Sequence, residues 1–311
     1  MMKQFIKDMR KNWVLLLMAL PGALWMIFFF YIPVFGNVVA FKDFRFSSDG
    51  GFLRSLYESE WVGLKNFEFL FSSDNAWIIT RNTVLYNLGF IVIGTACAVA
   101  LAIVMSMLRN KRRVKTYQTA MMFPYFISWI IISSFVYSFL SPDKGIVNRV
   151  MVNMGSSPIN WYTDPTYWPF IIIFIGIWKN LGYQSVIYFA SIMGIDPTYY
   201  EAAKIDGANR WQQIRHVTIP QIVPLISILM ILAVGNIMRA DFGLFYNVPR
   251  NSGPLTPVTQ VLDTFVYKGL AASGDLGMSS AAGLYQSVVG LVILVGANSI
   301  VRKLDPDSSL F

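Results

Sequence analysis

Seven polar residues stand inside, or at the edge of, two long apolar stretches: Lys179, Asn180, Tyr183 and Gln184 in one, Asn236, Arg239 and Asp241 in the other. Ionisable and amide groups in such stretches are costly and usually face an interior or a water-filled space. Helical spacing sets Lys179 and Tyr183 on one face, and Asn180 and Gln184 on another. These types offer hydrogen bonding, ion pairing and aromatic contact, with Trp178 and Tyr137 as further platforms. They serve structure equally well: Lys179 can pair with Asp241 or with a carboxylate on a neighbouring chain, and the amides can hold helices together. Nothing points to covalent catalysis. The single histidine, His216, lies apart from these stretches, and there is neither H-E-x-x-H nor a Cys/His cluster for a metal. No Gly-Lys dipeptide occurs, so the phosphate-cradling G-x-x-x-x-G-K-[ST] loop is absent. The lone Cys97 cannot form an intrachain disulfide.

The elements that must position these residues are membrane helices. The 311 residues are 55% hydrophobic and only 14% charged, where soluble domains carry about 25% charge. Six runs reach the roughly 20 apolar residues that a spanning helix needs: 13–35, 82–108, 117–140, 168–193, 221–240 and 281–301. The expected architecture is an all-α membrane protein of one domain, without an internal repeat. The basic N-terminus resembles a signal peptide, but the apolar run behind it is too long and lacks a cleavage site, so an uncleaved first span is expected. Pro21 and Pro124 are expected to kink the first and third spans, and Gly283, Gly290 and Gly296 to allow close packing of the last. Fourteen of the 25 lysines and arginines lie before the first run, in RNKRRVK, in 194–220 and after the last run. Cytoplasmic segments gather such residues, so both termini and 194–220 are expected inside. The net charge of +8 is therefore a topology signal; nucleic-acid binding would need a continuous basic face. Of the external segments, FSSDGG and WVGLKNFEFLF follow the first span, the latter with the spacing of a short amphipathic helix; 141–167 is rich in turns, and 241–280 holds NVPRNSGPLTP and then an amphipathic piece, TQVLDTFVYKGL.

Segment 201–220, EAAKIDGANRWQQIRHVTIP, is compact, charged and broken by glycine. Asp196 and Pro197 fit the N-cap and N1 of a helix. Asp206-Gly207 ends it, and a second helix follows before Pro220 and Pro224. The product is a helix–turn–helix elbow at the cytoplasmic surface, with Tyr200, Ala202 and Ala203 as a small flat face.

The spacing goes further. Glu201-Ala202-Ala203, three residues, Gly207, nine residues, then Val217-Thr218-Ile219-Pro220 resembles the EAA motif of importer-type ABC permeases, with Val and Ile replacing Ile and Leu near its end. Asp206-Gly207-Ala208 also matches. WVGLKNFEFLF, RNTVLYNLGFIVIG, MFPYFISWII and IWKNLGYQSVIYFASI are similar to segments of carbohydrate-uptake permeases, so the resemblance covers nearly the whole chain. It is nearest to the LplB-like, first-type permease subunits.

That resemblance implies the type I ABC importer permease fold in a bacterial cell membrane. The elbow becomes a coupling helix that docks on a cytoplasmic ATPase dimer through Glu201, Ala202, Ala203, Asp206, Gly207, Ala208 and Pro220. ATP and Mg would bind that partner, leaving this chain without a cofactor, metal or enzymatic activity of its own. A second homologous permease and an extracellular solute-binding lipoprotein are implied as well. A carbohydrate, an oligosaccharide above all, would pass along Lys179, Asn180, Tyr183, Gln184, Asn236, Arg239, Asp241 and Tyr137. Lys179 and Arg239 suit a charged sugar such as a uronide; a neutral oligosaccharide suits the amides and aromatics. Another small polar solute is the alternative. A secondary transporter would need ionisable groups near midplane, where only Lys179 qualifies, and would usually show repeats.

Overall fold

A computed structural model describes residues 11–45, 51–70, 74–108 and 110–304. Most of the N-terminal basic cluster, residues 46–50 of FSSDGG, Arg109 and the last residues of the chain lie outside the described residues. The main helices are α1 (Trp13–Phe41), α2 (Ala76–Ser106), α3 (Lys111–Phe126), α4 (Trp129–Leu140), α5 (Trp168–Met193), α6 (Pro197–Ile205), α7 (Arg210–Gly235), α8 (Phe242–Asn247), α9 (Leu262–Ser273) and α10 (Leu276–Leu304). Among the described residues, five helices are long and apolar enough to cross a membrane, and a sixth span arises if α3 and α4 are one broken crossing. A helix satisfies its backbone internally, as lipid demands.

The chain divides into two compact units. The first holds residues 1–71 and 269–284. Here α1 buries nothing from Trp13 to Phe35, so its sides are open to lipid or to a neighbouring chain. Behind it Asn66 donates to the carbonyls of Ala40 and Lys42, at 3.0 and 2.9 Å, and Phe41 stacks on Trp61. The expected amphipathic helix here is a tighter 3-10 turn, Lys65–Leu70.

The second unit holds residues 72–268 and 285–311. Its core joins Tyr86, Ile132, Trp168, Ile172 and Ile175 to Leu244, Phe245, Val248, Leu255 and Val261. Those last five residues come from a stretch that reads in sequence as an external loop, yet they are buried. Side chains from the spans make this possible. Asn82 donates to the carbonyls of Pro257 and Gln260, Tyr86 to that of Val258, and Ser133 to that of Asn247.

Two spans depart from the sequence expectation. The third is not a kinked rod: α3 and α4 meet at 96°. The break falls just after Pro124, and α4 restarts on the N-cap Ser128. In the fifth, the second elbow helix does not stop at Pro220 but runs on as α7. A π turn at Ile214–Thr218 shifts the register, with the Ile219 N–H reaching the Ile214 carbonyl. Pro220, which has no N–H to place, follows directly.

Helix packing depends on small residues. A Cβ on Gly182 of α5 would collide with the Met121 carbonyl of α3, and one on Gly290 with the Gly235 carbonyl at 2.8 Å. Gly283 and Gly296, expected as contacts, have nothing within 4 Å of that position. Gly182→Ala is therefore predicted to cost about 1–3 kcal/mol by overpacking, and Gly296→Ala almost nothing. Thermal unfolding of the two variants in detergent checks the difference.

Candidate functional site

The fifth span ends at Gly235, so Asn236 and Arg239 lie on non-helical backbone, not within a helix as the apolar run suggests. Irregular backbone in a membrane protein survives only where its groups find partners. Here three side chains from three elements supply them. Asn87 of α2 donates to the carbonyls of Ile237 (2.9 Å) and Arg239 (3.1 Å). Gln286 of α10 donates to that of Met238 (2.9 Å). The Asp263 carboxylate of α9 accepts the Ala240 N–H at 2.7 Å. Asp241 then caps α8 by accepting the Leu244 N–H, and its other oxygen accepts the Trp129 indole N–H at 3.0 Å.

The break lines open space. A cavity of about 400 Å³ is bounded by Asn87, Phe90, Tyr183, Gln184, Asn236 and Arg239 among others. A second, of about 270 Å³, shares Asn87, Phe90 and Gln184 and adds Asn180 and Asp241. Six of the polar residues singled out in the sequence thus gather round adjoining cavities. The π turn Phe90–Gly94 in α2 borders the same space. Tyr183 stacks on Tyr125, with centroids 4.7 Å apart, and stays 44% exposed.

Lys179 and Tyr137 are elsewhere. Lys179 is buried, and its ammonium donates to the carbonyls of Pro124 (3.2 Å), Tyr125 (2.8 Å) and Ile127 (2.6 Å). It also lies over the rings of Tyr125 and Trp129. It caps the carbonyl end of α3 at the bend, where a cation suits the helix dipole. Tyr137 sits under the Arg250 guanidinium, 4.2 Å away, and edges onto Tyr162; it borders neither cavity, and nor does Trp178. Asn87 and Gln286 escaped the sequence reading, although each is an amide inside an apolar run. Asp263 carried no such signal.

The elbow is built by local rules. The Asp196 carboxylate accepts the Thr198 N–H at 2.9 Å, which holds this carboxyl below the usual range. At the far end Gly207 has φ +80°, a conformation that favours glycine. The N–H of Ala208 reaches the Ala203 carbonyl (2.8 Å) and that of Gly207 the Lys204 carbonyl (3.0 Å), the paired bonds of a Schellman ending. Asn209 and Gln212 then form a capping box that starts α7. Tyr200 turns inward, its hydroxyl 3.0 Å from that of Thr218, and Ala203 is half-buried. The outward face is therefore Glu201, Ala202 and Ile205, flanked by Tyr199 and Asp206; of the expected Tyr200, Ala202 and Ala203, Ala202 alone lies on it. Ile205 is 87% exposed.

Lys179→Met would leave the carbonyls of Pro124, Tyr125 and Ile127 without their charged donor. The predicted loss is about 1.5–3 kcal/mol, partly restored by Lys179→Arg, measured as a fall in Tm of the purified protein.

The family described as "Binding-protein-dependent transport system inner membrane component" matches residues 98–306. The polygalacturonan/rhamnogalacturonan transport system permease protein YteP of Bacillus subtilis is 33% identical, over 93% of this chain and 88% of its own length. Protein LplB of the same organism is 30% identical, over 96% and 91%. The crystal structure of a bacterial ABC transporter involved in import of the acidic polysaccharide alginate superposes with a TM-score of 0.85 at 31% identity, covering 97% of this chain and 99% of that one. With the match running from mid-α2 through α10, this chain belongs to the binding-protein-dependent transport inner-membrane components, as a multi-pass permease subunit of an ABC importer.

Proposed function

We propose that this chain forms half of the translocation pathway for an oligosaccharide and is driven through the α6 elbow by a cytoplasmic ATPase dimer. The observation that carries the reading is the break in the fifth span. Round it Asn180, Tyr183, Gln184, Asn236, Arg239 and Asp241 border two adjoining cavities of a size suited to sugar. Amides and an aromatic ring are what a polyhydroxylated ligand needs. The relatives support a carbohydrate: YteP is named for polygalacturonan and rhamnogalacturonan, and the structural neighbour for alginate.

In this reading α3 and α4 together make one of six spans, with both termini cytoplasmic. A second homologous permease completes the pathway. ATP and Mg bind the ATPase, and an extracellular lipoprotein delivers the sugar; a related alginate transporter was crystallised with a pentasaccharide-bound periplasmic protein. The elbow suits a lever because both its ends are hydrogen-bonded shut and its outward face is small. Glu201, Ala202 and Ile205 would meet the ATPase. Ala203 and the bonds at Gly207, Ala208 and Asn209 would keep the lever stiff, and Pro220 would join it to the fifth span. A secondary transporter gains no support, because Lys179 is held by backbone carbonyls.

Two changes test the coupling. Glu201→Lys places a cation on the outward face, and Gly207→Pro removes both the left-handed conformation and an N–H. Each is predicted to abolish uptake of labelled oligosaccharide while the protein reaches the membrane in normal amounts. Normal uptake in both variants, or uptake that survives deletion of the ATPase, would refute the assignment.

A further inference from the structure

A further cavity lies where the elbow meets the ends of two spans. It holds about 440 Å³ and is walled by the last residues of α2 and α5, by α6 and by the start of α7. Its only charged lining groups are Lys204 of α6 and Arg210 of α7. They flank the left-handed turn at Gly207, which brings both to one space. Among the described residues neither side chain makes a hydrogen bond or an ion pair. Asp206 stands between them in sequence but does not line the cavity.

The neutral polar groups of the wall are already engaged. Ser106 donates to the Ile103 carbonyl and Gln213 to that of Ala208, and the Tyr200 and Thr218 hydroxyls bind each other. Two cations are what the cavity has left to offer. Lysine and arginine donate most strongly to carboxylate and phosphate. The remaining wall is apolar, with Ile192, Ile195 and the exposed Met107 and Met193. Methionine adapts to irregular apolar partners. A soluble phosphate ester would leave that wall bare to water, whereas a lipid brings a chain to cover it. The cavity also sits at the right depth, where α2 ends at Ser106 and α5 at Met193. Anionic lipids gather at basic segments beside a membrane, and basic pockets between spans hold their headgroups.

We propose that this cavity binds an anionic phospholipid, with Lys204 and Arg210 on its phosphate and the methionine wall against its chain. The site is separate from the sugar path, since no residue lines both this cavity and those at the fifth-span break. It rests on the cytoplasmic placement of the elbow only for the leaflet that supplies the lipid. A headgroup held there ties α6 to α7 across the Gly207 turn and braces the elbow against the spans.

The test places the complete transporter in nanodiscs of phosphatidylcholine with increasing phosphatidylglycerol. The lipids that it retains are counted by native mass spectrometry. Lys204→Gln with Arg210→Gln should weaken the tightest-held phosphatidylglycerol about twenty-five-fold, at about fivefold for each cation, and leave phosphatidylcholine unchanged. Lys115→Gln with Arg215→Gln removes the same charge from side chains that do not line the cavity, and should change little. The exchanged pair, Lys204→Arg with Arg210→Lys, should keep the lipid. Equal losses in the two glutamine pairs would reduce the effect to general surface charge and overturn the proposal. Displacement by millimolar glycerol phosphate would overturn it in favour of a soluble phosphate ester. If the first pair sheds the ATPase while its lipid count holds, the cations serve that contact and the proposal falls. Lipid retention is read without uptake, so failure of the sugar reading would leave this result standing.

Discussion

A backbone amide or carbonyl in a bilayer has no water to bind. The most informative parts of this structure are the places where the chain meets that constraint without a regular helix. After Pro124 the third span turns through 96°, and the Lys179 ammonium takes up three carbonyls at the corner. After Gly235 the fifth span stops, and Asn87, Gln286 and Asp263 pair with its exposed backbone. Without these partners both segments would revert to helix or be driven to the surface. With them, the fifth-span break can present Asn236, Arg239 and Asp241 to a cavity rather than to lipid. Trp129 links the two breaks: its ring lies beneath Lys179, and its N–H binds Asp241.

At the elbow the same need to satisfy backbone groups yields stiffness. Asp196, the Schellman bonds at Gly207 and Ala208, and the Asn209–Gln212 capping box close the helix ends without tertiary help. The second elbow helix then continues into the membrane as α7, through a π turn tied to Tyr200. Glu201, Ala202 and Ile205 of α6 are tied to α7 by the closed turn at Gly207 and by the Tyr200–Thr218 contact, and α7 then runs toward the broken segment at 236–241 for about 25 residues, or near 38 Å at 1.5 Å per residue.

Much of this was legible in the sequence, for identifiable reasons. The elbow was readable because capping and glycine conformation are local rules. Asn180, Tyr183, Gln184, Asn236, Arg239 and Asp241 stood out because polar groups in apolar runs are rare. What could not be read was direction. Spacing alone does not say that Lys179 turns to the bend while Gln184 turns to the cavity, or that Tyr200 faces inward and Ile205 outward. The stretch 242–261, which buries Leu244, Phe245, Val248, Leu255 and Val261, reads as a loop because its partners, Asn82, Tyr86 and Ser133, lie more than 100 residues away. The 96° corner needed the α5 cation as well as Pro124, and no local pattern joins the two.

The central claim is that the broken fifth span lines the aqueous path of the transported sugar. Cys97 is the only cysteine, so Cys97→Ser with Asn236→Cys leaves a single thiol on that segment. In the assembled transporter, a water-soluble maleimide is predicted to label this thiol readily, and transported oligosaccharide to slow the labelling. A thiol that stays unlabelled in every nucleotide state, or that labels at the same rate with and without sugar, would contradict the account.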